Sequence, residues 1–158
     1  MKKKFLMKIL LIIMFMITIL ILLSFIFSER MVLCLNWGIN LPKVHKIEKI
    51  IDTFVFRDGE SLEIWHFKEK NKNKFIDKKE FIEIDISNID FIKSKIDNFY
   101  KLLDENNKQK FDSNIDMFDI TSNINYYAYF NKEDDERCYL LLILDYNSNK
   151  LYIFNNIY

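Results

Sequence analysis

From Ile9 to Phe27 the chain runs without a charged residue, behind Lys2, Lys3, Lys4 and Lys8. A helix rising ~1.5 Å per residue over that run approaches the ~30 Å thickness of a bilayer's hydrocarbon core. The segment is therefore expected to be a transmembrane anchor in contact with lipid through residues 9–27, with the cytoplasmic lysines and anchor occupying residues 1–30. Lys8 lies at the end of the run, where its stem can carry the ammonium to the headgroups. The lysines outweigh the single Arg30 on the far flank, so the positive-inside rule places the N-terminus in the cytoplasm and residues 31–158 outside. A cleaved signal peptide would have a shorter apolar run and a small-x-small site, and Phe25, Ile26 and Phe27 break that spacing between Ser24 and Ser28. Cys34 does not make a lipoprotein signal either, because Leu33 stands where a small residue is needed.

Removing the anchor from the 158 residues leaves a part long enough for one domain. Half of the residues are hydrophobic and 16% are aromatic, against two glycines and one proline, a composition that folds and that suits neither a disordered chain nor a disulfide scaffold. After the four N-terminal lysines, 19 basic residues face 23 acidic ones, a net of −4. Nucleic-acid binding is driven largely by phosphate neutralisation, so DNA or RNA is not an expected partner. Cys34 and Cys138 have no spacing that argues for a bridge, and two unpaired thiols are expected.

Residues 31–44 look like a tether, and 45–158 like a single extracytoplasmic α+β domain. "IEKIIDTFVFR" and "ESLEIWHFK" are β-rich and separated by Asp58-Gly59, which predicts a two-residue type I′ hairpin pairing Arg57 with Glu60, Val55 with Leu62 and Ile51 with His66. Residues 68–79 are expected to be a solvated connector or a short charged helix, and "EFIEIDIS" alternates as a short half-exposed strand. Ser87 and Asp90 have the spacing of a capping box, followed by Ile89, Ile92, Ile96, Phe99 and Leu103 along one face of a helix of roughly 17 residues. The stretch from Asn106 to Thr121 has no clear periodicity and is expected to be irregular. "NINYYAYFN", "RCYLLLILDY" and "KLYIFNNIY" then read as an antiparallel meander whose middle strand, apolar on both faces, lies centrally. The expected fold is thus a mainly antiparallel sheet of about five or six strands packed with one amphipathic helix.

Asp58, Glu60, Glu63 and His66 are the residue types of acid/base and metal chemistry. Strand alternation separates them: Glu63 points away from Glu60 and His66, and six residues of strand, about 20 Å, lie between the latter two. No metal or catalytic site is expected from them, nor from His45 with His66, nor from the contiguous, glycine-free "EDDE" at 133–136. With only Gly38 and Gly59 present, the chain has no dinucleotide fingerprint, P-loop or nucleophile elbow, and no cofactor is expected. The remaining candidate is an interaction surface made by Trp65, His66, Tyr127, Tyr129, Tyr139 and Tyr152, since tyrosine and tryptophan combine an apolar body with a polar tip.

Leu41-Pro42 after a lysine-led membrane segment, Asp52-Thr53 leading to Asp58-Gly59-Glu60, and a closing hairpin from Asp145 to Leu151-Tyr152 give a layout that resembles a family of small membrane-anchored envelope proteins of low-GC Gram-positive bacteria. The family's Gly- and His-rich approach to "DGE" is replaced in this chain by "TFVFR". The resemblance implies topology and location and carries no activity. The expected function is binding by an anchored outer domain, of a protein or envelope ligand; the alternatives are an extracytoplasmic hydrolase near His66 and an immunity-type inhibitor acting at the membrane.

Overall fold

The computed structural model describes residues 2–26, 28–54, 58–121, 125–132 and 135–158. The chain divides into two compact units, Met1–Leu41 and Pro42–Tyr158.

The first unit holds α1 (Lys2–Ile26) and α2 (Glu29–Trp37). Ser28 caps α2 by accepting the Met31 N–H on its hydroxyl, and Gly38 ends it in the left-handed region at φ 69°, its N–H donating to the Cys34 carbonyl. The first residues of the stretch expected to be a tether, 31–37, are therefore helical. Beyond it, the Arg30 guanidinium donates to the Leu41 carbonyl from Nε at 2.9 Å and from Nη2 at 2.5 Å. Among the described residues no helix is long and apolar enough to cross a membrane. The described side chains of α1 run from Met7 to Ile21, and the apolar ones among them are exposed.

The second unit is α+β. Six strands, β1 (Lys46–Asp52), β2 (Gly59–His66), β3 (Ile82–Glu83), β4 (Tyr126–Lys132), β5 (Asp135–Asp145) and β6 (Lys150–Ile157), form one sheet in the order β1-β2-β6-β5-β4-β3, each neighbouring pair antiparallel. The meander is as expected, with β5 and β6 central. α3 (Asn73–Ile76) follows a 3₁₀ turn at Glu69–Asn71, while α4 (Ile89–Leu102), α5 (Glu105–Asn114) and α6 (Met117–Ile120) follow β3.

The core lies between one sheet face and these last helices. Leu62, Ile64, Leu141, Ile143, Tyr152 and Phe154 pack with Ile92, Ile96 and Phe99 of α4, and with Phe111 and Ile115 beyond it. The apolar stripe foreseen along α4 is the buried one. The capping box is not formed: Asn88 is the N-cap and its side chain makes no capping bond to the helix, and Ser87 instead donates its N–H and hydroxyl to Asp85. The stretch expected to be irregular is helical in α5 and α6. Asp104 caps α5 by accepting the Asn107 N–H, and the helix is polar all round except at Phe111, so it offers no periodic stripe.

The β1–β2 connection departs most from expectation. Ile51 lies opposite Leu62 and Lys46 opposite His66, where a two-residue turn would put Ile51 opposite His66. The connection spans 53–58, of which 55–57 lie outside the described residues, and an irregularity between Lys49 and Ile51 absorbs one residue. Among the described residues Asn149 is the one non-glycine with positive φ, so Asp58 does not adopt a type I′ conformation. Thr53 ends the strand instead: its N–H donates to the Glu60 carbonyl, and the Glu60 N–H donates to its hydroxyl at 2.8 Å. A local hydroxyl–backbone pairing competes with the ladder and terminates β1 before the Asp-Gly.

Gly59 is nonetheless indispensable. Its φ is 146°, and an added Cβ would sit 2.8 Å from Phe54 Cα. Gly59→Ala is expected to destabilise the fold by more than the ~1 kcal/mol of an average substitution, since backbone cannot yield as a side-chain tip can. An unchanged denaturation midpoint would remove this reading.

Candidate functional site

Strand alternation and the register assign the expected surface residues to different places. Trp65 lies on the face opposite α4, fully buried, with its indole N–H donating to Glu63 Oε2 at 2.6 Å. Lys49, paired with Glu63 across β1–β2, brings its ammonium to 4.0 Å from the same carboxylate. A buried Glu63 thereby keeps its charge compensated. His66 lies at the end of β2 on the other face, with Nε2 3.4 Å from Glu48 Oε1, and its ring 6.2 Å from that of His45. Lys46 also bonds Glu48, and this ammonium, ahead of a smaller contribution from His66, holds the Glu48 carboxyl below its usual range.

Tyr152 and Tyr139 are core residues. Tyr152 stands between Ile64 and Ile143 in the sheet, and the Tyr139 hydroxyl donates to the Lys95 carbonyl of α4 at 3.0 Å. Burial pushes the Tyr139 phenol up, reinforced by Tyr129 and Glu60. α4 thus covers most of the tyrosine-rich face.

What stays accessible is its margin. Tyr127 and Tyr129 on β4 are half-buried, and Phe91 of α4 leans over them, its ring 5.0 Å from Tyr129 and edge-on to it. Lys95 Nζ lies 5.0 Å from the Tyr129 centroid, 5.4 Å from Tyr139 and 5.5 Å from Phe91, a cation held against three rings. β3 continues the patch, because Ile82 pairs with Tyr127. Ile82 is 54% exposed, Phe91 40%, and Ile86, between β3 and α4, 95%. Ile82 beside Tyr127 and Phe91 over Tyr127 and Tyr129 thus leave apolar surface exposed at this margin, with Ile86 exposed in the segment between them.

Phe91, Ile82 and Ile86 were not among the residues singled out from sequence. Phe91 was legible, being an aromatic off the buried stripe of α4. Ile86 was not, because alternation through Ile82, Ile84 and Ile86 put all three on one inward face, while β3 ends at Glu83. Past it, Asp85 and Asn88 bind nearby backbone and turn the chain, leaving Ile86 outside.

Asp58, Glu60 and Glu63 do not converge on a histidine; of the β1–β2 carboxylates it is Glu48 that reaches His66. Glu60 is buried at the far end of β2 from His66, its Oε2 accepting the Thr53 hydroxyl at 2.5 Å and its Oε1 accepting the Tyr158 hydroxyl. Asp58 is exposed at the mouth of the connection. A shallow cleft at the bend from α5 to α6 contains Asp112 and Asp116, and neither histidine lines it. Among the described residues no group of three or more His, Cys, Asp or Glu side chains is placed to hold a metal ion. Cys34 and Cys138 are both unpaired. No family model, curated protein or solved structure matches this chain.

The Glu60–Tyr158 contact has a measurable consequence. Desolvation first, and the hydrogen bond to Glu60 second, push the Tyr158 phenol up to about 12. Between about pH 10 and 12 the unfolded phenol ionises while the folded one stays protonated, so its stabilisation is present below pH 10 and lost as pH rises through that window. Tyr158→Phe is expected to flatten that part of the stability–pH curve; an identical alkaline decline in both proteins would overturn the assignment.

Proposed function

We propose that the chain is a single-pass membrane-anchored protein whose outer α+β unit works by binding a protein or envelope partner through the patch of Ile82, Ile86, Phe91, Tyr127 and Tyr129. The observation that carries this reading is the exposure of the large apolar side chains of Ile82, Ile86 and Phe91 beside two half-buried tyrosines, on a unit whose Asp58, Glu60 and Glu63 do not meet a histidine. The anchor is supported by the charge-free sequence from Ile9 to Phe27 and by the exposed apolar side chains described in α1. N-terminal lysines on one flank favour a cytoplasmic N-terminus and an outer domain, as does the resemblance of the sequence layout to that of small envelope proteins. The −4 balance of the part beyond those lysines argues against a nucleic-acid partner.

Three measurements test it. Protease added to intact cells with an accessible surface is expected to digest residues 45–158, and full protection would reverse the topology. A photo-cross-linker at position 91 is expected to give a discrete adduct in membranes, absent when the probe sits at position 101; equal adducts from both positions would remove the patch as a contact site. Phe91→Ser with Ile86→Ser is expected to abolish the adduct formed from a probe at position 82 while the unit stays folded, loss of the Phe91–Tyr129 ring contact costing about 0.5–1.5 kcal/mol.

A further inference from the structure

One end of the sheet gathers lysines. Lys46 starts β1, Lys150 starts β6, and both lie at the level of His66, where β2 ends. The chain enters the folded unit at this same end, at Pro42 and Lys43. The connector from β2 is folded onto it by named contacts. Asn71 Nδ2 donates to the Lys43 carbonyl at 3.0 Å, the Phe67 N–H donates to the Asn149 carbonyl, and the Phe75 ring packs 4.7 Å from that of Phe67.

Lys72 is the pin of this arrangement. It is buried, its Nζ 3.7 Å above the Tyr146 ring and 3.3 Å from Glu69. Lys70 and Lys74, two residues to either side, are exposed, as are Lys43 and Lys68, and among the described residues these four pair with no carboxylate. The carboxylates at this end are largely engaged. Glu48 holds Lys46 and His66, Glu69 holds Lys72 and Asn149, and Asp145 accepts the N–H groups of Asn147 and Ser148 and the Ser148 hydroxyl. Asp77 and Glu80 remain exposed beside them. At the opposite end of the strands the exposed charges are mixed and include Asp52 and Asp58.

We propose that this end, presenting Lys43, Lys68, Lys70 and Lys74, with the Glu48-paired Lys46 and the half-buried Lys150 at its margin, is a contact surface for anionic lipid headgroups. The proposal rests on the anchor reading above, since the anchor is what delivers the tether-proximal end of the unit to a bilayer. A lysine near an anionic surface gains attraction that fades within a Debye length, so a cluster confined to one end orients the unit on a planar anionic sheet. An extended nucleic acid suits the unit less well, because it would follow the strands from the basic end toward Asp52 and Asp58.

The test uses the full chain in nanodiscs of phosphatidylcholine alone, or of phosphatidylcholine with roughly a third phosphatidylglycerol, an anionic content high enough to give a strong surface potential. Site-resolved amine acetylation of Lys43, Lys68, Lys70 and Lys74 is expected to slow about fivefold in the anionic discs and to recover in high salt, with Lys93 and Lys101 of α4 unchanged. Equal rates in the two discs overturn the surface while leaving the anchor standing, as judged by co-purification of the chain with the disc. Slowing in both discs alike also overturns it, as simple shielding by lipid. Failure of the chain to co-purify with either disc removes the anchor and this proposal together. Lys70→Glu with Lys74→Glu is expected to abolish the slowing at Lys43 and Lys68 at an unchanged melting temperature; if the slowing persists, the proposal fails.

Discussion

The pairing of β5 with β6 is the constraint on which the folded unit depends. Seven residue pairs, from Tyr139 opposite Asn156 to Asp145 opposite Lys150, run without irregularity. Leu140 to Leu144 and Leu151 to Phe154 are buried on both faces, Tyr152 at 5% exposure being the most accessible. Strands apolar on both sides are stable only in the middle of a sheet with both faces covered. The turn between them is held by Asp145, whose carboxylate accepts the Asn147 and Ser148 N–H groups, and by Asn149 at φ 57°, a conformation that asparagine tolerates better than most residues. A tight turn fixes the register of β5 and β6, and these two strands template the rest: β2 joins β6 over its whole length, and β4 joins β5.

The two edges of the sheet are unlike. β1 is short, charged and interrupted by an irregularity, features that discourage edge-to-edge association. β4 is aromatic and is covered by β3 only opposite Tyr126 and Tyr127. Lys95 and Phe91 of α4 lie against the ring of its Tyr129. The patch proposed for partner binding lies at this second edge, and the lysine cluster at the end where the chain enters the unit.

The elements that were legible in the sequence are those whose periodicity reflects burial. The meander from Tyr126 to Ile157 and the stripe of Ile92, Ile96 and Phe99 repeat at the spacing of their secondary structure because one or both faces are packed. α5 was illegible for the converse reason: a helix buried mainly at Phe111 and Asn107 needs no stripe, and its cap at Asp104 is a weak signal alone. The β1–β2 hairpin misled because Asp-Gly is a local signal, while the turn is decided by Thr53 bonding the Glu60 backbone. Of the six candidate surface residues, Tyr127 and Tyr129 stayed at an accessible margin, His66 is partly exposed at a strand end, and Trp65, Tyr139 and Tyr152 went inside.

Sequence alone determined the class of the fold, the central strands, the dispersal of Glu60, Glu63 and His66, and the absence of the glycine motifs of nucleotide chemistry. These follow from composition and from alternation along single strands, which need no knowledge of neighbours. Only the tertiary structure decided which aromatics stay at the surface, because that depends on where α4 lies across the sheet. It likewise decided that lysines far apart in the chain, Lys43, Lys70 and Lys150, share one end of the unit, since strand pairing and the burial of Lys72 against Tyr146 bring them there.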